Sequence, residues 1–123
     1  MNTRSFALLL LAPLLIAVVA LSGAAPAVAA APKPKIVTVN DNYFQPDSLK
    51  VKPDTVVKWK WPSDMAIDVH DVKLKSAPKG VKKWQSEPAS SGYTYKRTFK
   101  KVGTYKIVCT LHEEMKMTVK VKD

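Results

Sequence analysis

Between residues 36 and 121, apolar and polar side chains alternate with period two in about seven short runs: 36–39, 48–51, 55–61, 70–74, 92–99, 104–109 and 117–121. Alternation of this kind marks strands with one buried face. Turn formers punctuate the runs at Asp41-Asn42, Pro53-Asp54, Trp61-Pro62-Ser63-Asp64, Ala77-Pro78-Lys79-Gly80 and Val102-Gly103, and nothing after residue 30 has helical periodicity. Short strands with regular turns predict an all-β antiparallel sandwich. Residues 76–91, rich in Pro, Lys and Ser, are the least patterned and read as a long crossing connection with a short strand near Trp84-Gln85.

The same alternation decides which side chains meet. Tyr105, Ile107 and Cys109 share one strand face, as do His70, Val72 and Leu74, so Cys109 and His70 both point toward the core side at one end of the sandwich. Val57, Trp59 and Trp61 likewise share a face and fill the core. Asp71 faces away from His70 if the strand is regular there, and reads either as a surface acid capping a turn or as a group supporting the site from behind.

The formal net charge of +10 favours acidic partners. Lys50, Lys52, Lys58, Lys60, Lys73, Lys75, Lys96, Lys106, Lys120 and Lys122 recur beside apolar residues, as expected for solvated strand faces. No groove-reading motif or RNP-like aromatic run accompanies the charge, so the reading is an acidic protein docking surface and no nucleic acid.

At the N-terminus a short stretch with the one charge Arg4 precedes the apolar residues 6–21, and Ala27-Val28-Ala29 supplies a small-residue cleavage pattern. Residues 1–29 therefore read as a secretory signal peptide, residues 30–34 as a frayed leader and residues 35–123 as one domain. The apolar run is short for a span of about 20 residues, and nothing later approaches one, so no stable membrane insertion is expected. Lacking a twin-arginine pair, the chain is expected to be exported unfolded, into a periplasmic or extracytoplasmic space.

Export gives the single cysteine its meaning. Cys109 can form no internal disulfide, and an unpaired thiol in an oxidising compartment is a liability unless a metal holds it. It stands where the run 104–109 ends in a short loop, Cys109-Thr110-Leu111-His112-Glu113-Glu114-Met115, and the one other histidine is His70. Two histidines, a thiolate and a weak axial thioether hold electron-transfer copper. Structural zinc closes with four Cys or His ligands, of which this chain offers three. A cysteine nucleophile would need a base oriented by a third polar group, and no hydrolase signature surrounds Cys109.

With its preceding strand, this loop resembles the C-terminal copper loop of the cupredoxins, the plastocyanin, pseudoazurin and amicyanin family of blue copper proteins. The C-x-x-H-x-x-M spacing is that of short-loop, amicyanin-like members. Tyr43-Phe44-Gln45-Pro46, Leu49-Lys50-Val51, Val56-Val57-Lys58-Trp59 and His70-Asp71-Val72 resemble the family's N-terminal half in the same order. Two local departures bear on redox tuning: family members usually carry Asn where this chain has Asp71, and Pro or Gly where it has Glu113.

The resemblance implies a cupredoxin-like Greek-key β-sandwich of about seven to eight strands, and it selects Met115 over Met117 as the thioether. The expected site is one mononuclear copper ion cycling between Cu(I) and Cu(II), held by His70, Cys109, His112 and Met115. Four protein ligands leave no open position, so no enzymatic activity is expected. The expected function is that of a monomer carrying one electron between extracytoplasmic redox proteins. A copper carrier or buffer delivering metal to a cuproenzyme is the alternative.

Overall fold

The computed structural model describes residue 20 and residues 22–123. The apolar run 6–21 thus lies outside the described residues except for Ala20, whereas residues 22–34 carry no regular secondary structure. Eight strands follow: β1 (Lys35–Asn40), β2 (Tyr43–Gln45), β3 (Ser48–Val51), β4 (Thr55–Lys60), β5 (Lys73–Ser76), β6 (Thr94–Phe99), β7 (Gly103–Val108) and β8 (Lys116–Val121). They form two four-stranded sheets, ordered β2-β1-β4-β6 and β3-β8-β7-β5. The all-β sandwich is the expected one, with β2 added to the strands read from periodicity.

The sheets are not purely antiparallel, which corrects the sequence expectation. β1 runs parallel to β4, and β3 runs parallel to β8. The Asp41-Asn42 turn closes a true hairpin between β1 and β2, with Asn42 at φ 67°, in the left-handed region that asparagine tolerates. Pro53-Asp54 is instead a corner between sheets, because β3 lies in one sheet and β4 in the other. Successive strands that change sheet return beside earlier strands running the same way, and turn chemistry alone does not distinguish such a corner from a hairpin.

A second correction concerns residues 70–74. Only Lys73–Ser76 is a strand, while His70 makes an isolated antiparallel bridge with Ala89. The cause is where the amides go: Asp71 N–H points to the Cys109 Sγ at 3.5 Å and Val72 N–H donates to the Ser86 hydroxyl at 2.9 Å. The crossing connection supplies the remaining partners, since Leu74 N–H donates to Trp84 C=O and Ser86 N–H to Val72 C=O. Gln85 also bridges to Lys73, in the segment expected to hold a short strand.

Inward-facing residues of the two sheets form one core. Val37 and Val39 on β1, Val57 and Trp59 on β4 and Phe99 on β6 are buried with Leu74, Tyr105, Ile107, Val119 and Val121 of the facing sheet. Each such side chain contributes about 1.5–3 kcal/mol of burial free energy. Trp59 lies at the centre, its ring 5.8 Å from Trp84, 6.1 Å from Tyr95 and 6.3 Å from Phe99. Its indole N–H donates to the Met117 Sδ at 3.1 Å. This packing fixes the end of β7, and with it Cys109.

Candidate metal centre

β7 ends at Val108, and the next residue enters the loop with its side chain still on the buried face. The loop is shaped by its own backbone. Cys109 N–H donates to Met115 C=O at 2.9 Å, and Met115 N–H donates to His112 C=O at 3.1 Å. These bonds turn His112 inward at the loop crown, where it is half-buried, and bury Met115 completely. His70 arrives from the far side, clamped to Ala89 by two backbone hydrogen bonds of 3.0 Å.

The three side chains converge. The Cys109 Sγ lies 3.8 Å from His70 Nδ1 and 3.7 Å from His112 Nδ1, and the three ligand atoms all fall within 4.8 Å of one another. The imidazole rings approach to 4.4 Å between centroids. With metal–sulfur bonds of about 2.3 Å and metal–nitrogen bonds of about 2.0–2.1 Å, sulfur–nitrogen edges are about 3.8 Å at trigonal angles and about 3.6 Å at tetrahedral ones. The spacing here fits three donors closing on one metal ion, and a thiolate with two imidazoles is an N2S donor set suited to copper. Met115 is fully buried on the same loop, whereas the Met117 sulfur already accepts the Trp59 indole N–H.

The groups behind the donors were only partly visible in the sequence. Asp41, in the β1–β2 turn, places its Oδ1 3.2 Å from His70 Nε2 and accepts the Asp68 N–H on the same oxygen at 2.7 Å. A proton on Nε2 shared with this carboxylate leaves the Nδ1 lone pair facing Cys109, the tautomer a metal needs. The Asp68 amide and His70 hold the Asp41 carboxyl below its ordinary value. Periodicity gave no signal for this contact, which joins a turn to a residue 29 positions away.

Asp71 is buried, not turned to solvent, because the backbone around it is not a regular strand. Its Oδ1 accepts the Thr110 N–H at 2.6 Å, and its Oδ2 accepts the Thr110 hydroxyl at 2.5 Å and the Gln85 amide at 2.8 Å. Burial pushes this carboxyl up, but the hydrogen bonds outweigh it and hold the group below the usual carboxylate range. Three donors aimed at two oxygens are satisfied by a carboxylate that donates nothing. Asp71 thus ties the segment carrying His70 to the residue after Cys109, while its own N–H is directed at the sulfur.

Two comparisons with known proteins agree with this architecture. Residues 35–122 match the family described as copper binding proteins of the plastocyanin/azurin family. Amicyanin from Paracoccus versutus superposes with a TM-score of 0.61 at 23% identity, over 72% of this chain and 80% of that one. A reduced amicyanin variant gives 0.61 at 25% identity, over 72% and 81%. A copper-containing nitrite reductase from Thermus scotoductus gives 0.64 at 25% identity, over 81% of this chain but 25% of that one. No curated protein matched in sequence. A family match running from the first strand through the last, on a sandwich whose Cys109 Sγ stands between two imidazoles, places the chain in the plastocyanin/azurin family of copper-binding proteins.

Proposed function

We propose that the protein is an exported one-electron carrier with a single type 1 copper held by His70, Cys109, His112 and Met115. The observation that carries this reading is the pair of sulfur–nitrogen edges, 3.8 and 3.7 Å, in a pocket built from a buried cysteine and two histidines of different segments. Copper bound there would supply reversible Cu(II)/Cu(I) chemistry. The chain's own part is to keep the donors still: Asp41 orients His70, Asp71 ties the two halves of the site together, and the loop hydrogen bonds hold His112 and Met115. A frame that does not move between oxidation states keeps reorganisation small.

Burial of Met115 supports a closed ligand set and a carrier rather than an enzyme. His112, half-buried at the crown beside Leu111 with 54% of its surface exposed, is the electron exit that fits best. Residues 1–29 act as a signal peptide and deliver a monomer to the periplasm or an equivalent extracytoplasmic space. Among the described residues no helix is long and apolar enough to cross a membrane. The partners are redox proteins with acidic docking surfaces, in keeping with the +9 that remains of the full chain's +10 once Arg4 leaves with the signal peptide.

The test is a visible spectrum. Cu(II) added to the metal-free protein should give an intense thiolate-to-copper absorption that Cys109→Ser abolishes. A colourless wild type, or marked preference for zinc, would exclude the reading. Net copper transfer to a second protein without reversible redox cycling would replace the shuttle with the carrier alternative.

A further inference from the structure

Acids and lysines are unequally shared between the two ends of the sandwich. Asp41, Asp71, Glu113 and Glu114 stand at or beside the ligands. The opposite end is built from two connecting segments, 78–83 and 100–102, which carry Lys79, Lys82, Lys83, Lys100 and Lys101 and no acid. All five lysines are exposed, and among the described residues the one ion-pair contact is that of His70 with Asp41. β7 separates the two ends, the path from Gly103 to Cys109 spanning about 20 Å at the rise of an extended strand.

The two segments are locked together. The Lys101 ammonium donates to Lys79 C=O, and Val81 N–H donates to Pro78 C=O at 3.2 Å. Gly103, at φ 140°, lies so close to Pro78 that a Cβ there would collide with the proline ring. Tyr105 anchors this end from the core, its hydroxyl donating to Lys101 C=O. Val102, 49% exposed between β6 and β7, and the half-buried Val81 are thereby held among the lysines. A cleft of about 200 Å³ runs between the segments, where Arg97, 5.5 Å above the Trp84 ring, adds a further cation. Asp54 adjoins this end, its N–H donating to Phe99 C=O, with Lys52 on the same corner.

Exposed aliphatic groups ringed by lysines match a membrane interface, where the apolar atoms enter the headgroup layer and long stems carry ammonium groups to the phosphates. A flat anionic surface meets such a convex tip without needing a complementary groove. It also orients the molecule. The lysine end is attracted, while the carboxylates beside the ligands, about 20 Å away, lie beyond the Debye length of about 8 Å at physiological salt.

We propose that the end of the sandwich opposite His112 is a reversible contact for bilayers rich in anionic phospholipid, which holds the protein at the surface with its ligand loop facing away. Lys82, Lys83 and Lys100 supply the charge, and Val102 supplies the apolar tip. The contact is peripheral and needs no metal, so it stands or falls apart from the electron-carrier reading.

Cosedimentation of the protein lacking residues 1–29 with phosphatidylglycerol-rich vesicles, and not with phosphatidylcholine vesicles, tests it; all eight strands lie between Lys35 and Val121, so none is lost. Binding should fall as salt rises. Lys82→Gln with Lys100→Gln should lower the partition coefficient about 30-fold, since each lysine at such a surface is worth about fivefold. Lys50→Gln with Lys120→Gln removes the same charge from a cross-strand pair of the second sheet and should lower it by less than about threefold. A gadolinium-chelate lipid in the vesicles should broaden the amides of Val81, Lys82, Lys101 and Val102 and spare Leu111 and His112. Equal losses for the two double variants, or broadening centred on the row of Ile36, Lys58 and Lys96 in the first sheet, would overturn the proposal. So would failure to sediment with the anionic vesicles, and retention on immobilised polyglutamate that depends on Lys82 and Lys100 would then assign this end to an acidic protein.

Discussion

The Asp71 carboxylate accepts both the backbone N–H and the hydroxyl of Thr110, at 2.6 and 2.5 Å. Through this double contact a buried negative charge sits one residue from His70 and is bonded to the residue after Cys109. A fixed anion near the metal favours the more positive oxidation state, so it should lower the reduction potential relative to a neutral amide of the same shape. Asp71→Asn should raise the potential by about 59 mV or more, a tenfold shift in the Cu(I)/Cu(II) ratio for a one-electron couple. Potentiometric titration of both proteins checks this. An unchanged potential would mean that the hydrogen-bond shape matters and the charge does not.

The two methionines near the site have different sulfur environments. Met117 accepts the Trp59 indole N–H at 3.1 Å and packs in the core, while Met115 is buried at the end of the ligand loop. Met115→Leu should therefore shift the visible spectrum and the potential strongly. Met117→Leu should change them little, yet it should destabilise the fold by about 1–3 kcal/mol because the buried indole N–H loses its acceptor. Parallel urea unfolding and spectra of the two variants separate the roles, and the reverse ranking would make Met117 the axial group.

Much of this arrangement was legible because strand parity is a strong signal. The burial of Tyr105, Ile107 and Cys109 on one face, and of Val57, Trp59 and Trp61 on another, follows from alternation alone. Parity held for His70, Val72 and Leu74, which are buried as expected, but failed at Asp71, which is buried too because sulfur and a serine hydroxyl take two of the amides that a strand would pair. The parallel pairing of β1 with β4 and of β3 with β8 was equally hidden, since it depends on which sheet a strand joins and not on its own residues. Asp41 could be read as a turn former but not as the partner of His70, because nothing local to the turn encodes that contact.

Tyr105, like Tyr95, contributes to the alkaline pH dependence of the fold. Its hydroxyl donates to Lys101 C=O at 2.7 Å, its ring packs edge-on to Phe99 at 4.8 Å, and burial raises its pKa above the ordinary value of 10.0. The folded state then holds this proton over a range in which the unfolded chain has released it. The associated stability is complete below about pH 10 and is lost as pH rises through the folded-state value. Tyr105→Phe should flatten the decline above pH 10, at a loss of about 1 kcal/mol at neutral pH for the missing hydrogen bond. Unfolding midpoints of the metal-free proteins from pH 7 to pH 11 test it; equal slopes would place the alkaline transition elsewhere.

The remaining prediction concerns the two carboxylates beside the loop histidine. Glu113 and Glu114 are exposed next to His112, on a protein whose other charges are mostly lysine. If steering by the basic body governs encounter with an acidic donor, electron transfer should slow steeply as salt rises, because the Debye length shrinks from about 10 Å at 0.1 M to about 3 Å at 1 M. Glu113→Gln with Glu114→Gln should raise the rate at low salt and leave the high-salt rate nearly unchanged, since neither carboxylate is hydrogen-bonded to a donor of the site. Stopped-flow measurements with acidic donors over this range of ionic strength separate the cases. A flat salt profile together with a slower double variant would show that a cationic partner docks on Glu113 and Glu114, and that the lysines serve solubility instead.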